Sequence, residues 1–311
     1  MHCLIMGGAG FIGSHLVDAL VSRGHQVRVF DSPDASMINL LGAISSIDFY
    51  GGNFLNEDDI TKSLVGIDVV IHLISTTVPV TSNQNFAFDV DSNIAGTLRL
   101  LQLAKKTGAK KIVFASSGGT VYGSPTQIPT PETHSNDPIC SYGITKLAIE
   151  KYLSLFHYLH GLDYSILRIA NPYGERQNPN GGLGAVTNFI WKALHGEPIE
   201  IWGDGEVARD YLYISDLVSA FVNVIEAVPP SKVYNIGGGR AYTLNEVVAS
   251  IERVIGRSVK VNYSESRKLD VAVSYLDIAR ARNELLWAPS VTLDKGIAKT
   301  SEALQEKLNL C

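Results

Sequence analysis

The stretch Gly7-Gly8-Ala9-Gly10-Phe11-Ile12-Gly13 follows the apolar run Cys3-Leu4-Ile5-Met6 and opens the helix-patterned segment Ser14-His15-Leu16-Val17-Asp18-Ala19-Leu20. Strand, glycine turn and helix in that order begin a dinucleotide-binding fold. The glycines allow a tight bend, close approach of the backbone to a pyrophosphate and close packing of helix on strand. The free N–H groups and dipole of the new helix attract the phosphates. A second strand-like run, Gln26-Val27-Arg28-Val29-Phe30, ends at Asp31. An acidic side chain there binds both ribose hydroxyls of an adenosine and repels a 2′-phosphate, so the residues point to NAD rather than NADP. A glycine triplet alone, or an Asp closing a surface strand, carries little; the combination carries the reading.

A chain of 311 residues has the length of about two domains, and its 45% of hydrophobic residues supply a sizeable core. Twenty-six basic residues stand against thirty-one acidic ones, a net charge of −5 with no basic tract, which argues against nucleic acid or an anionic membrane as partner. No apolar run reaches membrane-spanning length, and the N-terminus enters the first strand directly, so a cytoplasmic location is expected. Cys3, Cys140 and Cys311 are scattered without metal-ligand spacing. Free thiols and no metal site are expected.

Strand-like runs alternate with helical patterns through the first half: Val69 to Leu73, a helix from about Asn93 to Lys106, then Lys111 to Ala115, a helix from about Tyr142 to His160, and a strand from Tyr164 to Arg168. This order predicts an α/β fold, a doubly wound parallel Rossmann-type sheet covered on both faces. Beyond Asn171 the pattern loosens into a loop, Gln177 to Gly182, and shorter elements, which predicts a smaller C-terminal α/β domain. A helical stretch before Val233-Tyr234-Asn235-Ile236 suggests that the chain returns to the first sheet. The expected division is 1–173 with about 212–236 for the dinucleotide, and 174–211 with 237–311 mainly for the substrate.

Ser141-Tyr142-Gly143-Ile144-Thr145-Lys146 places a phenol and an ammonium four residues apart, on one face of a helix. A tyrosine with its ordinary pKa of about 10 is a poor base at neutral pH, and lowering it by about three units takes roughly 4 kcal/mol. One nearby positive charge lowers a pKa by about one to three units, so Lys146 together with a positive nicotinamide ring suffices where either alone falls short. On an ordinary helix such a pair is a solvated face. Behind a dinucleotide turn and the serine-rich strand end Ala115-Ser116-Ser117-Gly118, it reads as catalytic.

With these residues the chain resembles the extended short-chain dehydrogenase/reductase family, and within it the UDP-sugar 4-epimerases, over nearly its whole length. The resemblance is carried by Gly7, Gly10 and Gly13; Asp31; His72-Leu73; Asn93 to Thr97; Ser116 to Gly123; Tyr142 and Lys146; and Arg168 to Gly174. It continues in Trp202 to Gly205, Arg209-Asp210-Tyr211, Asp216, Arg267 with Asp270, and Leu286 to Pro289. It implies NAD bound by the glycine turn with Phe11 and Ile12, by Asp31, Asn53, Leu55, Leu73, Ser75, Asn93 and Ser116, and by Tyr142 and Lys146. It implies a UDP-sugar held by Asn171, Trp202, Arg209, Arg267 and Asp270, and a homodimer formed through the helices near Asn93 and Tyr142. Guanidinium forks suit phosphate oxygens, and an amide suits a bridging or sugar oxygen.

One departure stands out. Four residues before Tyr122, where the family carries a Ser or Thr that hydrogen-bonds the reacting sugar hydroxyl, this chain has Gly118. Ser117 and Thr120 are the candidate replacements. Thr120 is preferred because side chains two apart on an extended strand share a face. The Asp-Glu pair that marks sugar 4,6-dehydratases is replaced by Gly119-Thr120, and the Glu of the UDP-glucuronate decarboxylases is also missing. The expected activity is therefore 4-epimerisation of UDP-glucose/UDP-galactose, of their N-acetyl forms, or of both, through a 4-keto sugar with Tyr142 as base. A UDP-glucuronate 4-epimerase, a net oxidoreductase of the same fold and an NAD-binding sensor are the alternatives. Ser274 occupies the position where, in the resembling epimerases, a tyrosine restricts the enzyme to unacetylated sugars.

Overall fold

Strand β1 (His2–Met6) sends Cys3 and Ile5 into one hydrophobic core and Leu4 and Met6 into another, the period-two alternation of a strand buried on both faces. The computed structural model describes residues 1–181, 183–266 and 271–309. After β1 come α1 (Phe11–Ser22), β2 (Gln26–Asp31), β3 (Ile47–Gly51), α2 (Glu57–Ser63) and β4 (Val69–His72). Two short helices, α3 (Pro79–Ser82) and α4 (Phe86–Asp89), lead through a π-helical turn at Val90–Ala95 into α5 (Gly96–Thr107). Then follow β5 (Lys111–Ser117), α6 (Ser141–His160), β6 (Asp163–Ile169) and β7 (Asn171–Tyr173).

The remainder comprises α7 (Ala185–His195), β8 (Ile199–Trp202), β9 (Ala208–Tyr213), α8 (Ile214–Glu226), β10 (Val233–Ile236), β11 (Ala241–Thr243), α9 (Leu244–Ile255), β12 (Val261–Ser264), β13 (Val273–Ser274), α10 (Ala279–Leu285) and α11 (Leu293–Asn309). Helices α5, α6 and α9 each stop at a glycine with positive φ, Gly108, Gly161 and Gly256, where a left-handed residue closes the last turn.

Seven parallel strands form the main sheet in the order β10-β6-β5-β4-β1-β2-β3. The chain builds outward from β1 to β3, returns to β4 on the other side of β1, and builds outward again. That reversal opens a crevice at the carboxyl ends of the strands, where α/β sheets bind ligands. Leu16 and Leu20 of α1 pack with Leu217 and Phe221 of α8 over one face; Leu100 of α5 with Ile149 and Leu153 of α6 cover the other.

Strand β10 at Val233–Ile236 pairs with β6, where the sequence places the returning segment. The small sheets gather over the same edge: β9 pairs with β7, β11 and β13, and β8 pairs with β12. Asp216 ties the chain's last third to α8. Its carboxylate accepts from the Ser290 and Val291 N–H groups, and its carbonyl accepts from the buried Trp287 indole.

Candidate active site

The first helical turn is built so that backbone meets backbone. A Cβ added to Gly13 would lie 2.2 Å from the Gly7 carbonyl oxygen, and Gly7 itself holds φ +85°. No side chain fits between the turn and the start of α1, which leaves that helix end open to an anion. At the end of β2 the Asp31 carboxylate leans over the turn, accepting from the Ala9 and Ser32 N–H groups at 2.9 Å each. Two further acceptor sites of that carboxylate remain for a ligand.

Beside the turn lies a cavity of about 790 Å³. Its wall brings together Phe11 and Ile12 of α1, Leu73 and Ser75 after β4, Ser116 and Ser117 at the end of β5, Thr120, Tyr142 and Lys146 of α6, Asn171 of β7, Trp202 of β8, Arg209 of β9 and Ser274 of β13. Residues far apart in the chain thus meet around one cavity. Gln177, Asn188, Lys192 and Glu200 also line it. Those four have no spacing signal of their own, because only the packing of α7 and β8 against the loop after β7 turns them inward.

Several candidates sit elsewhere. The Asn93 amide is buried: it donates to Thr76 Oγ1 and Asp89 Oδ1, and its oxygen accepts from the Thr76 N–H, so it anchors the segment after β4 instead of facing the cavity. Asn53 turns its side-chain oxygen back onto the Leu55 N–H, and both residues are exposed at the turn after β3, off the cavity wall. Ser116 lies on the wall, but its Oγ is engaged: it donates to Glu150, itself clamped by Arg168 in a buried ion pair. Arg267 and Asp270 lie outside the described residues.

Thr120 does not lie on an extended strand as expected. Strand β5 ends at Ser117 and residues 118–122 form a turn, so the period of an extended strand does not apply. The turn itself presents Thr120: its hydroxyl oxygen is buried and has no hydrogen-bond partner among the described residues. A reason for Gly118 is also visible. A Cβ there would lie 2.5 Å from Leu276 Cδ1, and the Leu276 N–H is fastened to Asp210. Leu276 fills the space a side chain at 118 needs.

Burial dominates the electrostatics. It pushes the Tyr142 phenol up to about 12, and the nearby Cys140 and Asp89 add to the rise. It pulls the Lys146 ammonium down to about 8, against Asp89 and Glu150, which hold it up. Lys146 Nζ donates to the Ala115 carbonyl at 3.0 Å and lies 5.5 Å from the Tyr142 ring centre. The expected depression of the phenol by Lys146 is not seen: burial, Cys140 and Asp89 all act to raise it. Bringing Tyr142 from about 12 to neutrality takes about 7 kcal/mol. His72 is buried and held neutral, its pKa lowered to about 3 by desolvation. Thr97 Oγ1 gives its proton to the Asn93 carbonyl, so the His72 Nε2–H donates to Thr97; Nδ1 is then the unprotonated nitrogen, buried, without a partner among the described residues and off the cavity wall.

A model of the NAD dependent epimerase/dehydratase family matches residues 3–237. The chain belongs to that family. It is 36% identical to a UDP-glucose 4-epimerase of Mycolicibacterium smegmatis, covering 99% of each chain. It is equally 36% identical to a dTDP-4-dehydro-6-deoxyglucose reductase of Escherichia coli, covering 98% of each. The crystal structure of a UDP-glucose 4-epimerase with UDP-glucose from Thermotoga maritima superposes with a TM-score of 0.93 at 39% identity, over 99% of this chain and 100% of that one. NAD is the cofactor of the epimerase/dehydratase family. The glycine turn, with no room for a side chain at Gly13, and the Asp31 carboxylate above it fit an adenosine diphosphate.

Proposed function

We propose that this protein interconverts UDP-hexoses by inverting C4, with the large sheet carrying NAD and the small C-terminal sheets the nucleotide sugar. The observation that carries the reading is the meeting of Tyr142, Lys146 and the Thr120 hydroxyl, which has no partner among the described residues, in one cavity with Asn171, Trp202 and Arg209. Asp31, Phe11, Ile12, Leu73 and Ser75 are placed to hold the cofactor. When bound, NAD supplies a site that accepts the C4 hydride, returns it, and contributes the positive charge that Tyr142 needs beyond what Lys146 provides.

Tyr142 Oη takes the proton of the sugar 4-hydroxyl and gives it back after the 4-keto sugar has turned over. Thr120 Oγ1 holds that hydroxyl in line. Lys146, fixed on the Ala115 carbonyl, keeps a positive charge beside the phenol ring. Arg209 and Asn171 orient the diphosphate, and Trp202, half-exposed at the far end, covers the base. Glu200 is the one carboxylate on the wall among the described residues, and it stands on β8 beside Trp202. No acid adjoins Tyr142 on that wall to drive a dehydration.

Ser274 lines the same cavity, and β13 sets it in register with Arg209 of β9. A side chain this small leaves room for an N-acetyl group at C2, so the substrate range extends to UDP-N-acetylglucosamine and UDP-N-acetylgalactosamine. The test is to incubate the purified protein with UDP-galactose, UDP-N-acetylgalactosamine or UDP-glucuronate and no added cofactor. Epimerisation of the first two supports the reading. Stoichiometric consumption of NADH or NADPH with a 4-keto nucleotide sugar, and no epimerisation, would instead support the reductase that the Escherichia coli relative represents.

A further inference from the structure

Asp89, the last residue of α4, has no solvent exposure, and no cation pairs with it among the described residues. Four donors converge on its carboxylate. Oδ1 accepts from Thr77 Oγ1 at 2.5 Å and from Asn93 Nδ2 at 2.9 Å; Oδ2 accepts from Ser141 Oγ at 2.6 Å and Thr145 Oγ1 at 2.8 Å. Ser141 and Thr145 are one helical turn apart and immediately precede Tyr142 and Lys146. A helix gripped along 141/145 presents 142/146 about 100° further round its axis. Asn83 Oδ1 and Ser82 Oγ accept from the Ser141 and Tyr142 N–H groups, which fixes the same end of α6.

We propose that Asp89 is a positioning residue for the cavity: its buried carboxylate sets the rotation of α6 and supplies the negative charge that faces the Tyr142–Lys146 pair. The inference rests on that pair being the acid–base site. The other charged or titratable groups facing the pair are few. Glu150 on α6 also holds the Lys146 ammonium up, but it is bound to Arg168 of β6 in an ion pair of which both members are buried, which offsets its charge. His72 of β4 is neutral. Cys140 adjoins the helix start and bears on Tyr142. Lys146 also lies over the Phe114 ring and donates to the Ala115 carbonyl of β5.

The sign follows from removing the charge while keeping the shape. In Asp89→Asn the phenolate loses a repelling neighbour and the ammonium loses an attracting one. Both groups then give up their protons at lower pH. Hydrogen bonding holds the Asp89 carboxyl below its ordinary range despite desolvation, so the native charge is present across the working range. The acid limb of kcat, set by Tyr142, and the alkaline limb, set by Lys146, are expected to move to lower pH together, by about one unit.

The experiment measures kcat and KM against pH for the native holoenzyme, Asp89→Asn, Asp89→Glu and Thr145→Val. A phenolate absorbance titration of each holoenzyme against its Tyr142→Phe counterpart supplies a readout that does not depend on turnover. Joint movement of both limbs and of the Tyr142 titration in Asp89→Asn supports the inference, as do stationary limbs in Asp89→Glu and Thr145→Val, which retain the carboxylate. Reduced rate in Asp89→Asn with both limbs and the phenolate titration unmoved would overturn it.

If Asp89→Asn does not fold, Ser141→Ala/Thr145→Val removes the grip and keeps the charge. A fivefold or greater fall in kcat per folded molecule at unchanged KM is then expected, and an unchanged kcat overturns the positioning role. Turnover by Tyr142→Phe itself sinks the acid–base reading whatever Asp89 does, which separates the two failures.

Discussion

Tyr142 is the residue on which the proposed chemistry turns. Removing one oxygen in Tyr142→Phe is expected to lower kcat by about 100- to 10,000-fold, the range of general acid–base catalysis, while UDP-sugar affinity by calorimetry stays near native. Native-like turnover would remove it as the base. For the neighbouring hydroxyl, Thr120→Val is expected to cost more kcat than Ser117→Ala, because Thr120 brings a buried oxygen without a partner to the wall. The reverse order passes the role to Ser117. Ser274→Tyr is expected to suppress turnover of UDP-N-acetylgalactosamine selectively, leaving UDP-galactose within a few-fold; equal loss on both discards Ser274 as a gate. Tyr142, Lys146, Asn171, Trp202, Arg209 and Ser274 were all legible because each sits in a short motif. Leu276 and Asp89 were not, since a buried Leu and a buried Asp acquire meaning only from partners brought close by the fold.

At the scale of elements, legibility followed the strength of local pattern. Strands β1, β2 and β4 to β6, and helices α1 and α6, read directly from the alternation of strand-like apolar runs with helix-patterned segments. Strand β3 did not: it is an edge strand, half-buried, and its conformation comes from pairing in register with β2, Val27 opposite Ile47 onward. The π turn at Val90–Ala95 was equally hidden, because its residues look helical. The wider turn precedes α5 and shifts the side chains before it, and Asn93 in it reaches Thr76 rather than the cavity. The β1–turn–α1 unit makes a sharp prediction. A methyl at Gly13 would overlap the Gly7 carbonyl and the Gly8 Cα, both backbone, so the turn must open. Gly13→Ala is expected to lose most of the dinucleotide that native protein releases on denaturation, with added NAD restoring little activity. Undiminished release would show that the turn does not grip the cofactor. A released pool of mainly NADP from native protein would overturn the assignment of Asp31.

Across the whole molecule, the reversal of strand order and the small sheets above it enclose the cavity, and an apolar stripe is left on the outside. Ile144, Tyr152, Leu155 and Leu159 are exposed along α6, with Phe86 and Phe88 exposed on α4, which packs against it. Apolar rows of this kind on a monomer mark an interaction surface, and a single patch that pairs with its own copy gives a closed two-fold contact. We expect the protein to be a homodimer through this face. Leu155→Asp/Leu159→Asp places charges at the centre of such a contact and is expected to give a monomer by sedimentation. The two substituted positions lie on the opposite end of α6 from Tyr142. The monomer is therefore expected to keep turnover within several-fold while its melting temperature falls, because α6 loses the neighbour that shields its outer face. A native protein that sediments as a monomer at micromolar concentration would exclude this face as a stable contact. A monomeric variant with the melting temperature intact and turnover abolished would instead mean that the second copy contributes to the site.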